Sequence, residues 1–232
     1  MKRLFFLIFT AVIFSSCSKS TMFIMPEYED LDLPQQTLAI VPFDIPPVIT
    51  NDDDITDDFG EGDVDEIYRD LIEKGFKSAL NKYSSIVNFK FVKYDKQIET
   101  EYVQLGKDED RIKFKLPKHP EIIEFESFEA DFILFIKDWV VSRVSSRGVP
   151  FIIPVGQGVT TGGGSSSDDL TTKVRYAIWD NKNHKVVSYG KIVSEIGVLF
   201  AMTEQTWYDS FDDVVRQIMT DTPFEKEYYY GR

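Results

Sequence analysis

The sequence predicts an α/β (α+β) domain: one mixed sheet in βαβαββ order with helices packed on it, and a further helix at the C-terminus. Three observations carry this. VDEIYRDLIEKGFKSALNKY, from residue 64, and the segment after Thr203 both space apolar residues at helical intervals, the mark of a helix with one buried face. Between them, EADFILFIKDWVVSR holds the run FILFI, apolar on both faces as a central strand requires. TKVRYAIWD and HKVVSYGKIVSE flank Asn181-Lys182-Asn183 and read as a hairpin, asparagine tolerating left-handed turn geometry.

In chain order, TLAIVPFD (37–44) is a short apolar run ending at Pro42 and reads as a buried strand. An acidic loop follows over 51–63, with Asp52, Asp53, Asp54, Asp57, Asp58 and Glu61, and Asp63 stands three residues before Glu66 as a helix cap. The helix it starts presents Val64, Ile67, Tyr68, Leu71, Ile72, Phe76, Ala79, Leu80 and Tyr83 on one face. IVNFKFVKY (86–94) alternates, with Val87, Phe89 and Phe91 on one side of a strand. Residues 95–118 are charged and poorly periodic, and no element is assigned to them. Pro120 begins a short helix through Phe128. Residues 145–170, rich in Gly, Ser and Pro, read as a flexible loop. Thr203 caps the last helix, lined by Trp207, Phe211, Val214, Val215 and Ile218.

The N-terminus carries location. Lys2-Arg3, the apolar stretch LFFLIFTAVIF and the small residues Ser15-Ser16 before Cys17 have the three-part pattern of a secretory signal peptide over 1–16. The apolar run is shorter than the about 20 residues needed to cross a bilayer. Small residues followed by cysteine resemble a bacterial lipobox, with Phe14 where leucine is usual. The resemblance implies cleavage before Cys17 and its acylation with fatty chains such as palmitate, which makes the chain a lipoprotein. Ser18, in place of an inner-membrane retention aspartate, implies outer-membrane sorting. Residues 17–36 then read as a lipidated cysteine and a tether reaching roughly 60 Å if extended. Its apolar patch, residues 22–25, has either the domain or the membrane surface to lie against. Residues 37–232 read as a single domain. Cys17 is the only cysteine of the chain, so acylation leaves no thiol for a disulfide, a nucleophile or a metal.

The chain of 232 residues has a formal charge of −13, and loss of Lys2 and Arg3 makes it −15. An acidic surface repels nucleic acid and anionic headgroups, so no nucleic-acid partner is expected and the acyl group must supply the membrane attachment. The acids over 51–63 fit no EF-hand frame and read as a solvated loop, not a metal site. VGQGVTTGGGSSSDD (155–169) lacks the lysine of a phosphate-binding loop. His119 and His184 have no zinc-site spacing, and no G-x-S-x-G is present. No cofactor and no catalytic residue is assigned.

LAIVPFD, the amphipathic helix from Val64, EADFILFIKDWVVSR and the hairpin KVRYAIWDNKNHKVVSYGKIVSE together resemble a family of bacterial envelope domains. It includes the TolB N-terminal domain and the lipoproteins CsgG and LpoB. The likeness spans most of residues 37–220 and departs from the family over 95–118 and 145–170. It implies a domain facing the periplasm that acts by binding other envelope proteins. The expected function is therefore a non-enzymatic, lipid-anchored partner-binding or assembly accessory module. Its contact surfaces are expected at Phe151, Ile152, Ile153 and Val155, apolar residues around Pro150 and Pro154, and at Tyr228, Tyr229 and Tyr230. The alternatives are a carboxylate-based hydrolase of cell-wall or surface glycans and a ring-forming secretion or assembly lipoprotein. Partner identity and oligomeric state stay open.

Overall fold

The structure, a computed structural model, describes residues 20–42, 48–50, 55, 57, 59–93, 99–106, 111–118, 122–126, 128–146, 151–155, 158–162, 167–198 and 202–226. Its strands are β1 (Thr21–Ile24), β2 (Thr37–Val41), β3 (Val48–Ile49), β4 (Asn88–Phe91), β5 (Thr100–Leu105), β6 (Ile112–Pro117), β7 (Phe132–Ser146), β8 (Phe151–Val155), β9 (Gly158–Gly162), β10 (Ser167–Asp180) and β11 (Lys185–Val198). Helix α1 (Val64–Tyr83) lies between β3 and β4, and α2 (Glu204–Met219) follows β11.

The fold is a mixed sheet with two helices, one of them C-terminal. The strand order is β1-β11-β10-β7-β2-β4, with β3 also pairing β7. β1, β11, β10 and β7 pair antiparallel, whereas β2 runs parallel to both β7 and β4. The central position of β7 explains its composition. Phe132, Leu134 and Ile136 enter the core beneath the helices, while Ile133 and Phe135 enter a second core on the opposite face. Strict alternation would send Trp139 and Val141 to that second face. The register shift that pairs Arg175 with Asp138 and Tyr176 with Ile136 leaves Lys137 as an extra residue. This bulge returns Trp139 and Val141 to the helix side.

Both helices form where their caps and stripes predict. Asp63 accepts from the backbone N–H groups of Asp65 and Glu66, and Thr203 and Thr206 cap α2 reciprocally. Tyr68, Leu71, Ile72, Phe76, Ala79 and Leu80 are buried from α1, and Trp207, Phe211, Val214, Val215 and Ile218 from α2. Each large side chain so buried contributes about 1.5–3 kcal/mol. The helices meet closely at Gly75, where a Cβ would stand 2.5–2.8 Å from Phe211 atoms. Inside this layer the Trp139 indole N–H donates to the Tyr68 hydroxyl at 2.7 Å, which satisfies both polar groups in an apolar setting.

The second face is covered by strand, not helix. β5 and β6 form an antiparallel hairpin whose Val103, Leu105, Ile112, Phe114 and Leu116 pack on Ala39, Ile133, Phe135, Ala177 and Trp179. Two strands of the region 95–118, to which the sequence assigns no element, thus supply this layer. Three further expectations are corrected. Residues 122–126 and 128 are not helical; Phe125 and Phe128 form an isolated bridge, and their rings join the second core. Strand replaces loop over much of 145–170, because β7 runs to Ser146, β10 starts at Ser167, and β8 and β9 pair between them. Long antiparallel partners satisfy each other's backbone groups, so pairing extends well past the apolar segments. Val87 is 63% exposed and precedes β4, so only Phe89 and Phe91 of that alternation pack inward.

Residues 17–36, expected to be a tether, enter the fold from Ser20 onward. β1 pairs with β11 from Thr21↔Lys191 to Ile24↔Ser188, and Ser20 Oγ bonds both the N–H and the C=O of Val193. Phe23 stacks on Tyr189 at 5.2 Å. Opposite Met22, Gly190 has no room for a side chain, since its Cβ would meet the Thr21 carbonyl at 2.5 Å.

Candidate functional site

Polar chemistry concentrates at one end of the sheet, where β10 turns into β11. Asp180 is 3% exposed and saturated with donors. Its Oδ1 accepts from the N–H groups of Lys182 and Asn183 at 2.9 and 2.8 Å. Its Oδ2 accepts from the Tyr28 hydroxyl at 2.9 Å and from Asn183 Nδ2 at 2.8 Å. Burial, then the Asp180 bond, raises the Tyr28 phenol above its ordinary range. Asn181, fully buried, bonds Ile123 through both N–H and C=O, and Ala130 through its C=O.

Next to it, Asp131 links the starts of β2 and β7. Its Oδ2 accepts from the Thr37 backbone N–H at 3.0 Å and from the Thr37 hydroxyl at 2.8 Å, and its Oδ1 pairs with Lys182 Nζ at 2.6 Å. Burial disfavours its charged form, but bonds from Lys182 and Thr37 more than offset this and hold its carboxyl below the usual range. These carboxylates hold the chain in register. The expectation that asparagine supplies the left-handed turn residue is corrected: His184 does so, at φ 55°, while Asn181 is consumed as a buried clasp. Asp180 accepting from the next residues' N–H groups builds the turn instead.

The expected contact residues distribute differently. Phe151, Ile152, Ile153 and Val155 lie on β8, paired with β9 in a two-stranded sheet apart from the main one. Tyr228, Tyr229, Tyr230, Cys17 and His119 lie outside the described residues. Of the acidic loop, Asp57 is exposed and Asp63 serves as a cap, while Asp52, Asp53, Asp54 and Asp58 lie outside. Among the described residues no cluster of His, Cys, Asp or Glu is placed to hold a metal, and no helix is long and apolar enough to cross a membrane.

A surface feature that sequence reasoning missed lies beside β1. On the sheet face opposite the helices, Lys191 pairs with Thr21 on one side and Arg175 on the other, and Lys173 stands across from Val193. Lys173 and Lys191 are exposed, as is Glu195 on the same face, whereas Arg175 is paired with Asp138. Lys137 reaches across to the carbonyl of Lys113 at 2.7 Å, and Lys113 lies over the Tyr102 ring at 4.5 Å. Their separation in sequence hides this group: adjacent strands bring them together, and period-2 alternation turns Lys173, Arg175 and Lys191 to one face, where Asp138, Asp169 and Glu195 also stand.

No family model and no curated protein matches this sequence. Among solved structures, the chain is similar to the PelC dodecamer from Paraburkholderia phytofirmans, at 10% identity over 87% of this chain and 96% of that one, with a TM-score of 0.37. It is also similar to a minor lipoprotein from Acinetobacter baumannii, at 11% identity over 79% and 89%, with a TM-score of 0.35. At these TM-scores neither likeness bears on function.

Proposed function

We propose that this chain is a bacterial lipoprotein that works without catalysis, held at the envelope by acyl groups on Cys17 and binding other envelope proteins from the periplasmic side of the outer membrane. The observation that carries this is the position of Cys17. It follows a charged start, a short apolar run and small residues, and it precedes by three positions Ser20, the first described residue, which is bonded into the sheet. One acyl chain binds a bilayer only marginally, so stable attachment requires two or more on this residue. The carboxylates of buried Asp180 and half-buried Asp131 are committed to structural bonds, which supports a binding role over an acid–base one. β8, with Phe151, Ile152, Ile153 and Val155, and the tyrosines 228–230 are the contact surfaces in this proposal.

The test compares wild type with Cys17→Ser in cells. Wild type is expected in the membrane fraction, with a mass at Cys17 that includes fatty acyl groups. Cys17→Ser is expected in the soluble fraction, without the envelope partner that crosslinking captures with wild type. Equal membrane retention of the serine variant would refute lipid anchoring. Absence of any stoichiometric partner of the acylated protein would refute the binding role.

A further inference from the structure

We infer that the hairpin β8–β9 inserts into the interfacial region of the same bilayer that holds Cys17. This assigns β8, named above as a contact surface, to lipid and not to protein, and it rests on the lipid anchoring proposed for Cys17. Composition, strand register and the direction in which the anchor leaves the sheet carry it.

Residues 148–167 contain no Asp, Glu, Lys, Arg or His, a run of 20 in a chain that is 28% charged. Within it β8 reads Phe-Ile-Ile-Pro-Val. Each Phe, Ile or Val side chain that leaves water favours insertion by about tenfold or more. Among the described strands β8 pairs only with β9, and a two-stranded hairpin without cover is marginal in water. Pro154 has no N–H, so its pair with Val159 is one whose backbone groups turn outward. The open edge of β8 thereby loses a donor, which blunts it against strand addition by a protein and spares a polar group in lipid. β8 and β9 hold five residues each, about half of the 9–11 that a spanning strand needs, so the hairpin enters the bilayer without crossing it.

Four residues separate β7 from β8 and four separate β9 from β10, so the pairs Ser146↔Ser167 and Phe151↔Gly162 keep one register. The hairpin thus continues two inner strands past the end of the sheet, and Val155 reaches at most about 30 Å beyond Ser146. The anchor leaves toward the same end. β1 is antiparallel to β11 with Thr21 opposite Lys191, so the chain runs toward Val198 as it approaches Cys17, and Ser20 Oγ bonds Val193 at 2.9 and 3.2 Å. Val198 pairs with Asp168 at the base of the hairpin. The strand from Val193 to Val198 covers about 17 Å, of which the three steps from Ser20 to Cys17 span up to about 11 Å. Acyl groups on Cys17 therefore bring the bilayer to the hairpin end of the sheet, within the hairpin's reach. The contact is apolar and not ionic. An anionic surface repels the acidic stretch that follows Thr50, itself bonded to Val141, and leaves the uncharged hairpin as the part that enters.

The experiment uses the acylated full chain in phosphatidylcholine vesicles, with and without phosphatidylglycerol, whose acyl chains carry a nitroxide quencher. A fluorophore is attached through Ile153→Cys on β8 or through Lys77→Cys on the exposed side of α1. Thr160→Cys, opposite residue 153 on β9, repeats the test should the first substitution disturb β8. Quenching at 153 and 160 but not at 77, in both lipid mixtures, is the expected result. Phe151→Ser/Val155→Ser should lower the inserted-to-free ratio by about a hundredfold or more, read as loss of quenching at 153 and 160. Unquenched hairpin labels, quenching that survives in the serine variant, or quenching that requires phosphatidylglycerol overturns the insertion. Shielding of the hairpin labels only when an envelope protein is crosslinked to them also overturns it and returns β8 to a protein partner. Mass spectrometry of the same preparation separates the two levels. An unacylated Cys17 refutes the anchor and the insertion with it, whereas an acylated Cys17 with unquenched hairpin labels refutes the insertion alone.

Discussion

Replacing Asn181 by alanine tests how the turn end of the sheet is held. The carboxamide is fully buried, accepts from the Ile123 N–H at 2.9 Å, and donates to the carbonyls of Ile123 at 3.0 Å and Ala130 at 2.9 Å. Alanine leaves three backbone groups without their partner. A buried unsatisfied group costs about 1–3 kcal/mol, and water entering the vacated space recovers part of that, so a net loss of about 3–5 kcal/mol is expected. That is a large share of a typical stability of about 5–15 kcal/mol. In urea, with a slope near 2–3 kcal/mol/M, the midpoint should fall by about 1–2 M at unchanged slope. Asn181→Asp keeps the acceptor but sets a carboxylate oxygen against two carbonyls. It should be at least as damaging at neutral pH, and partly relieved where the carboxyl protonates and donates again. A midpoint shift under about 0.5 M for alanine, or an aspartate variant indifferent to pH, would refute the assignment of Asn181 as the clasp between β10 and residues 123–130.

Two further outcomes follow from the same geometry. Gly75→Ala drives a methyl into Phe211, whose own Cβ lies 2.8 Å from the added carbon, so α2 must shift bodily. Overpacking of this kind costs about 1–3 kcal/mol, read as a lower urea midpoint, and an unchanged midpoint would mean that the helices do not meet there. Asp131 has a lowered pKa in the folded state, so its contribution is present above the unfolded carboxylate pKa of about 3.9 and is lost as pH falls through the lower folded value. Wild type should therefore lose stability in that acid window more steeply than Asp131→Asn, and parallel pH profiles would contradict the Thr37 and Lys182 bonds.

Both helices were legible because their information is local: a cap followed by apolar residues at helical spacing needs no distant partner to be recognised. The same holds for FILFI, whose two apolar faces require cover on both sides. The β5–β6 layer was partly legible, since Ile112, Phe114 and Leu116 alternate with Lys113 and Lys115. That pattern is brief and sits among charges, and nothing local says which sheet face it covers.

Residues 22–25 show the limit more sharply. An apolar tetrad near the N-terminus suits a loose tether as well as an edge strand, and only its bonds with β11 decide between them. Asn181 looks like an ordinary turn residue because the groups it satisfies lie 51 and 58 positions away. Sequence by itself determined the helices, the central strand and the acidic balance, all of which depend on neighbours in the chain. Tertiary structure alone decided that the bulge at Lys137 keeps Trp139 in the helix-side core, that the chain joins the sheet within three residues of Cys17, and that Lys173, Arg175 and Lys191 share a face with Asp138, Asp169 and Glu195. Those facts depend on pairing and register between strands, which no local pattern encodes.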